Sequence, residues 1–260
     1  MSNHDDDDDK VKKLLAEAHD AGALSAKSLA ALDVIDVGAQ IQAGLGVTID
    51  DVTASEVVLL TLMPDDSQSI AAANNTDSVR DGHNFVLDAL ARSKQSGEVL
   101  AHTRYLNGHV LYPYTALAHA TRMTSANYDP RLGTPLFDQT VVLLGTVIAK
   151  AQELAQAGIA VRTVTLIITD GGDYGSTRCR PGDVAAIVAD MLAQESHIVA
   201  AMGISDGTTD FKKVFRSMGI PDRWILTPGN SASEIRRAFQ VFSQSAVRAT
   251  QGVQLGGFSN

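Results

Sequence analysis

Asp65, Ser67 and Ser69 bring oxygen-bearing side chains at every second position, just beyond the apolar run Val57 to Met63 and Pro64. Far along the chain, Thr134 stands in Gly133-Thr134-Pro135, and Asp170 opens Asp170-Gly171-Gly172-Asp173 after a second apolar run. Carboxylates and hydroxyls are hard donors, and at this density they suit Mg²⁺, Mn²⁺ or Ca²⁺. Taken alone, the first stretch fits a plainer account equally well. Asp65 and Asp66 would turn the chain, and Ser67 or Ser69 would cap the helix that follows. The two accounts separate on whether the fold brings the distant residues together.

The elements that must do so can be read from the pattern. Glu56 to Met63 lacks a polar face, as expected of a strand covered on both sides of a parallel sheet. A helix is expected over 77–93, where Val79, Phe85, Val86, Leu87 and Leu90 recur near helical spacing. Strands over 98–106 and 110–114 flank Asn107-Gly108, a strong hairpin signal. A long helix follows over 136–157, with Thr134 as its cap, Pro135 at its first position and Gly158 closing it. Further on come a strand over 161–169, a helix over 182–194 and a strand over 198–204. A short helix over 211–218, a strand over 223–226 and a closing helix over 231–248 complete the series, the last opened by a Ser231/Glu234 capping box. This alternation is that of an α/β domain over 54–250. Its sheet is open, doubly wound and mostly parallel, with one antiparallel edge hairpin and helices on both faces. Residues 1–53 read as an acidic tail plus a helical extension, expected to pack on the domain as a cap because its apolar residues need cover. The Gly-rich stretch 251–260 reads as a frayed, flexible tail.

In such a sheet every parallel strand points its C-terminal end at one rim. That rim receives Asp65, Ser67 and Ser69 from one loop, Thr134 from the loop before the long helix, and Asp170 from a third. At these residues the sequence resembles the von Willebrand factor A (VWA) domain family, whose Rossmann-like fold carries a metal-ion-dependent adhesion site (MIDAS). The family's Asp-x-Ser-x-Ser motif stands here as Asp65-Asp66-Ser67-Gln68-Ser69, its later Thr as Thr134, and its Asp after the fourth strand as Asp170. The resemblance covers about residues 55–250; Pro64, directly before Asp65, departs from the commoner apolar approach. It implies a Mg²⁺-type site with Ser67, Ser69 and Thr134 on the metal and Asp65 and Asp170 contributing largely through water. It also implies an open position for the Asp or Glu side chain of a partner protein, such as an AAA+ ATPase or another complex subunit. Asp66 falls at the motif's variable position and is expected to point away.

Composition narrows the alternatives. The formal charge of −9 and the lack of a basic stripe argue against nucleic acid, and no apolar run has the length of a membrane span. Cys179 is the lone cysteine and no leader-like segment opens the sequence, so the expectation is a cytoplasmic protein. Other residues invite chemistry less strongly. Asp173 and Asp206 suit turns, His102 and His109 lack paired-ligand spacing, and His83 sits at a helix position that fits either face. Cys179 lies between two arginines without a histidine or second cysteine, which favours an idle thiol. A MIDAS-type binding module, and not an enzyme, is therefore the leading expectation. The alternative is a Mg²⁺-dependent phosphatase or phosphotransferase with Asp65 as nucleophile, which would want a basic residue at the rim.

Overall fold

The structure, a computed structural model, describes residues 3–33, 37–252 and 256–258. Three helices lead: α1 (Asn3–Asp20), α2 (Ala26–Asp33) and α3 (Val37–Leu45). Then come β1 (Glu56–Met63), α4 (Gln68–Ala72), α5 (Thr76–Ala91), β2 (Val99–Arg104), β3 (Val110–Ala116) and α6 (Leu136–Gln156). The chain closes with β4 (Ala160–Thr169), α7 (Pro181–Ala193), β5 (His197–Gly203), α8 (Phe211–Ser217), β6 (Ile225–Leu226) and α9 (Ala232–Thr250).

The six strands lie in the order β3-β2-β1-β4-β5-β6, all parallel except β3, which pairs antiparallel with β2 at the edge. The expected doubly wound sheet and its edge hairpin are thus both present. β1 is buried over all but its first residue and β4 over its last seven, which is why both read as near-continuous apolar runs. Gly108 turns the hairpin at φ +96°, where a side chain would be strained. Helices α5 and α9 pack together on one side of the sheet, and α6 and α7 lie on the other.

The N-terminal helices join the second group, α1 and α3 against α6 and α2 against α7. Val11, Leu14, Leu15, Leu24, Leu32 and Ile41 enter the same apolar core as the sheet. Lys10 of α1 reaches Glu153 of α6 at 2.7 Å, and the buried Lys150 meets the same carboxylate at 2.7 Å. α1 begins at Asn3, so the backbone of the acidic run 5–9, read as a tail, is helical. Acidic residues in the first turns of a helix are favoured by its dipole. Parts of two sequence expectations, at 34–36 in the irregular stretch and at 253–255 and 259–260 in the tail, lie outside the described residues. Within the tail, Phe258 sits edge-on to the buried Trp224, with ring centroids 5.1 Å apart, and its N–H donates to the Arg223 carbonyl at 3.0 Å.

Two local readings need correcting. The stretch 71–76, expected to be a link, is entered by the short helix α4, whose N-cap position Ser67 occupies without making a capping bond. At α6, Pro135 occupies the N-cap, and Thr134 does not cap the helix. The open N–H groups are served from the loop after β4 instead. Ser176 accepts from Phe137 and Asp138 at 3.0 Å each, and Asp173 accepts from Phe137 at 3.2 Å. Gly158, at φ +77°, ends α6 as expected.

Candidate metal centre

The chain leaves β1 toward β2 and returns through α6 to β4 on β1's other side, so the strand order reverses between β1 and β4. Open α/β sheets bind ligands in the crevice above such a reversal. Asp65 follows β1 by two residues and Asp170 follows β4 directly, so both carboxylates flank that crevice.

Asp65 is fully buried and held on three sides. The Ser67 N–H donates to its Oδ1 at 2.7 Å, the Thr169 hydroxyl donates to its Oδ2 at 2.7 Å, and the Tyr128 hydroxyl donates to its carbonyl. From there a hydroxyl relay crosses the crevice. Ser67 Oγ lies 2.8 Å from Ser69 Oγ, and Ser69 donates to Asp170 Oδ1 at 2.6 Å. Ser67 and Asp170 are buried, and Ser69 opens to solvent. Four of the five expected ligands are therefore joined in one hydrogen-bonded chain. Thr134, also buried, comes to the same place through the backbone. Leu132, two residues earlier, pairs with Ser67, and Thr134 itself exchanges N–H···O bonds of 3.0 and 2.8 Å with Tyr174 in the loop after β4.

The electrostatics of this crevice are one-sided. Burial, above all, raises the Asp65 carboxyl above its ordinary value despite its hydrogen bonds. It pushes Asp170 up to about 6, and the charge on Asp65 adds to the effect. Asp66 rises to about 7 for the same leading reason. Among the described residues, none of the three carboxylates forms an ion pair. Carboxylates buried together without a counter-charge are costly, and a divalent cation among them would supply what the side chains do not. The set of two carboxylates and three hydroxyls matches the oxygen preference of Mg²⁺, Mn²⁺ or Ca²⁺, so the residues fit the ion. No group of three or more His, Cys, Asp or Glu among the described residues stands ready to hold a metal.

The remaining candidates are accounted for by structure. Asp66 turns to the hairpin, as a variable position allows, with its carboxylate accepting the Asn107 N–H at 3.1 Å; yet it is buried, and its carbonyl holds the Arg131 and Leu132 N–H groups. Asp206 folds onto the N–H groups of Thr208 and Thr209 at 2.8 and 2.7 Å, which with the hydroxyls of the same two residues brings its carboxyl down to about 2. Asp173 serves α6, as above. His83 and His102 are buried, bonded to Thr103 and to the Tyr112 carbonyl, and burial drops them to about 4 and about 3. Burial pushes the Cys179 thiol up to about 12, the reverse of activation. Sequence reasoning missed Thr169 and Tyr128. Thr169 looks like the last residue of an apolar strand, and nothing in the pattern around Tyr128 directs its hydroxyl to Asp65.

No family model and no curated protein matches this chain. Among solved structures, the pilus adhesin SpaC from Lactobacillus rhamnosus GG aligns with a TM-score of 0.51 at 14% identity, over 75% of this chain and 31% of that one. Proximal thread matrix protein 1 from the mussel byssus, solved with zinc in its MIDAS motif, aligns with a TM-score of 0.46 at 15% identity, over 75% of this chain and 47% of that one. The VWA domain of SpRpn10 aligns with a TM-score of 0.48 at 10% identity, over 70% of this chain and 93% of that one. The chain thus spans less than half the length of the first two. At these identities the likeness is one of fold, an open and mostly parallel sheet with one antiparallel strand and helices on both faces.

Proposed function

We propose that this chain is a divalent-metal-dependent protein-binding module of the VWA type, capturing an acidic group of a partner protein at a MIDAS. The observation that carries the reading is the relay from Asp65 through Ser67 and Ser69 to Asp170, two buried carboxylates linked by the Ser67 N–H and two serine hydroxyls, with no ion pair to either among the described residues. Ser67, Ser69 and Thr134 would hold Mg²⁺, or Mn²⁺ or Ca²⁺, with Asp65 and Asp170 as supporting carboxylates. When bound, such an ion supplies an electrophilic position for a carboxylate oxygen. The partner is then a protein presenting Asp or Glu, an AAA+ ATPase or another subunit of a cytoplasmic complex, by the VWA resemblance. The unit over 54–250 carries the site, with residues 1–53 as its cap.

Capture suits this site better than turnover. Asp65 is fully buried and each of its carboxylate oxygens is already held by a hydrogen bond, so it is not the exposed nucleophile that the phosphatase reading requires. The test is a pull-down of complexes in Mg²⁺ and in EDTA, with the wild-type chain and with Asp65→Ala. Partners lost under both perturbations support the proposal, and partners retained under both reject it. Hydrolysis of a generic phosphate ester that disappears in Asp65→Asn would return the enzyme reading.

A further inference from the structure

Among the described residues two large hydrophobic side chains stand exposed, Leu132 at 54% and Tyr174 at 82%. A lone exposed leucine needs no explanation. These two, however, occupy the two isolated β-bridges of the candidate metal centre: Leu132 is paired with Ser67, and Tyr174 with Thr134. Each apolar residue is thus the backbone partner of an expected ligand. Their backbones are fixed. Leu132 donates to the Asp66 carbonyl at 3.2 Å and accepts from the Gln68 N–H at 3.0 Å, while Tyr174 holds Thr134 through both of its backbone groups. A pre-ordered backbone carrying solvated apolar side chains loses little entropy when those side chains are covered.

Two guanidinium groups on the Tyr174 loop offer charged donors to an acidic occupant. Arg178 and Arg180, on the same loop as Tyr174, are exposed and form no ion pair among the described residues. The acids beside them keep their charge but form no ion pair with either arginine among the described residues, and they accept neutral donors, Asp183 taking the Arg180 N–H at 2.8 Å. Asp173 takes the Phe137 N–H and the Ser176 hydroxyl, and Asp138 takes the N–H groups of Thr177, Arg178 and Cys179. Arg131, beside Leu132, is paired with Asp129 at 2.8 Å and contributes little net charge.

We infer that the occupant of this rim is a partner segment whose metal-directed Asp or Glu stands next to a bulky apolar residue, which Leu132 and Tyr174 cover. Arg178 and Arg180 favour further acidic residues in the same segment. The inference rests on the metal-dependent reading above and adds the neighbouring residue that selects among acidic partners. Its test is a displayed library of random peptides, panned on the full chain in Mn²⁺. Enriched peptides are expected to pair an acid with an adjacent Leu, Ile, Met or Phe. A selected peptide should bind the L132S/Y174S chain about tenfold more weakly, as for loss of an interface anchor, while Mn²⁺ affinity by calorimetry stays within about twofold. Enriched acids without an apolar neighbour, no enrichment at all, or unchanged binding to the double variant would each overturn the inference alone. Peptides that bind equally in EDTA and to Asp65→Ala would remove the metal-dependent reading itself, and this inference with it.

Discussion

Supplying a cation to the centre and deleting a charge from it should both stabilise the chain, yet each should cancel the other. Asp170 is buried, lacks a counter-charge, and accepts the Ser69 hydroxyl. Asp170→Asn keeps an amide oxygen for that hydroxyl and removes the charge. Relief of a buried, unsatisfied ionic group is of order 1–3 kcal/mol. Unfolding entropy is about 2.1 cal/mol/K per residue. Over 260 residues that amounts to about 0.55 kcal/mol/K, so the substitution should raise Tm in EDTA by about 2–5 °C. A cation at roughly a hundred times its dissociation constant stabilises by about 2.7 kcal/mol, or about 5 °C in the wild-type chain.

The assay is thermal unfolding by circular dichroism, for both chains, in EDTA and in Mn²⁺, with the dissociation constant taken from calorimetry. The wild-type chain should gain from Mn²⁺, and Asp170→Asn should start higher and gain almost nothing. Ser69→Ala serves as a control that keeps both charges, and it should lose most of the gain without the higher start. An equal Mn²⁺ gain in all three chains would refute the site. A lower Tm for Asp170→Asn in EDTA would refute the claim that its charge stands uncompensated.

Three other outcomes test the surroundings. Thr169→Val leaves Asp65 Oδ2 without its donor, and should cost about 1–3 kcal/mol in urea unfolding and weaken Mn²⁺ binding in calorimetry. His83 is held by burial at about 4 against an ordinary 6.5, so between those values the unfolded chain binds more protons and stability rises with pH. The contribution lost on acidification from pH 6.5 to about 4 is roughly 3 kcal/mol, and urea unfolding across that window should give a shallower slope for His83→Gln. Glu153→Ala strips the buried Lys150 of its carboxylate and should cost about 3–5 kcal/mol, read by denaturant midpoint; a loss under 1 kcal/mol, roughly that of an exposed pair, would refute the buried role.

The sheet was legible because burial on both faces writes itself into composition. β1 begins at Glu56, one residue before the apolar run, and ends with it, and β4 begins one residue early at the exposed Ala160. The rim residues were legible for a different reason, since strand direction alone sends the loops after β1 and β4 to one edge. What escaped were features set by distant partners. The cap of α6 comes from Asp173 and Ser176, 36 and 39 residues along the chain from the Phe137 N–H they accept, and a local reading assigned it to the nearest suitable hydroxyl, Thr134. Asp66 was read from its motif position, which said nothing of the Asn107 N–H waiting across the hairpin. Leu132 and Tyr174 lie outside any regular element, where no periodicity separates an exposed apolar residue from a buried one.

That mistaken cap bears on the site more than on the fold. Ser67 precedes α4 and Thr134 precedes α6, both with a hydroxyl suited to closing the following helix, and neither does so. At α6 the need is met by other residues; at α4 the Ser67 hydroxyl turns to Ser69 while its N–H turns to Asp65. A chain under selection for stability alone would take the local bond, worth about 1 kcal/mol at each helix. Places where local rules are broken, with the loss offset elsewhere, are where a fold has been bent to another purpose. Here the broken rule leaves the Ser67 hydroxyl in the chain that crosses the crevice between β1 and β4, and leaves the Thr134 hydroxyl unused by α6. Restoring capping chemistry is therefore a sharper probe than deleting it. Ser67→Asp, a strong N-cap residue that adds a third acid to the crevice, should hold α4 at least as well while altering metal binding, and calorimetry with Mn²⁺ would read the difference. Unchanged Mn²⁺ binding in that variant would mean that Ser67 is no ligand.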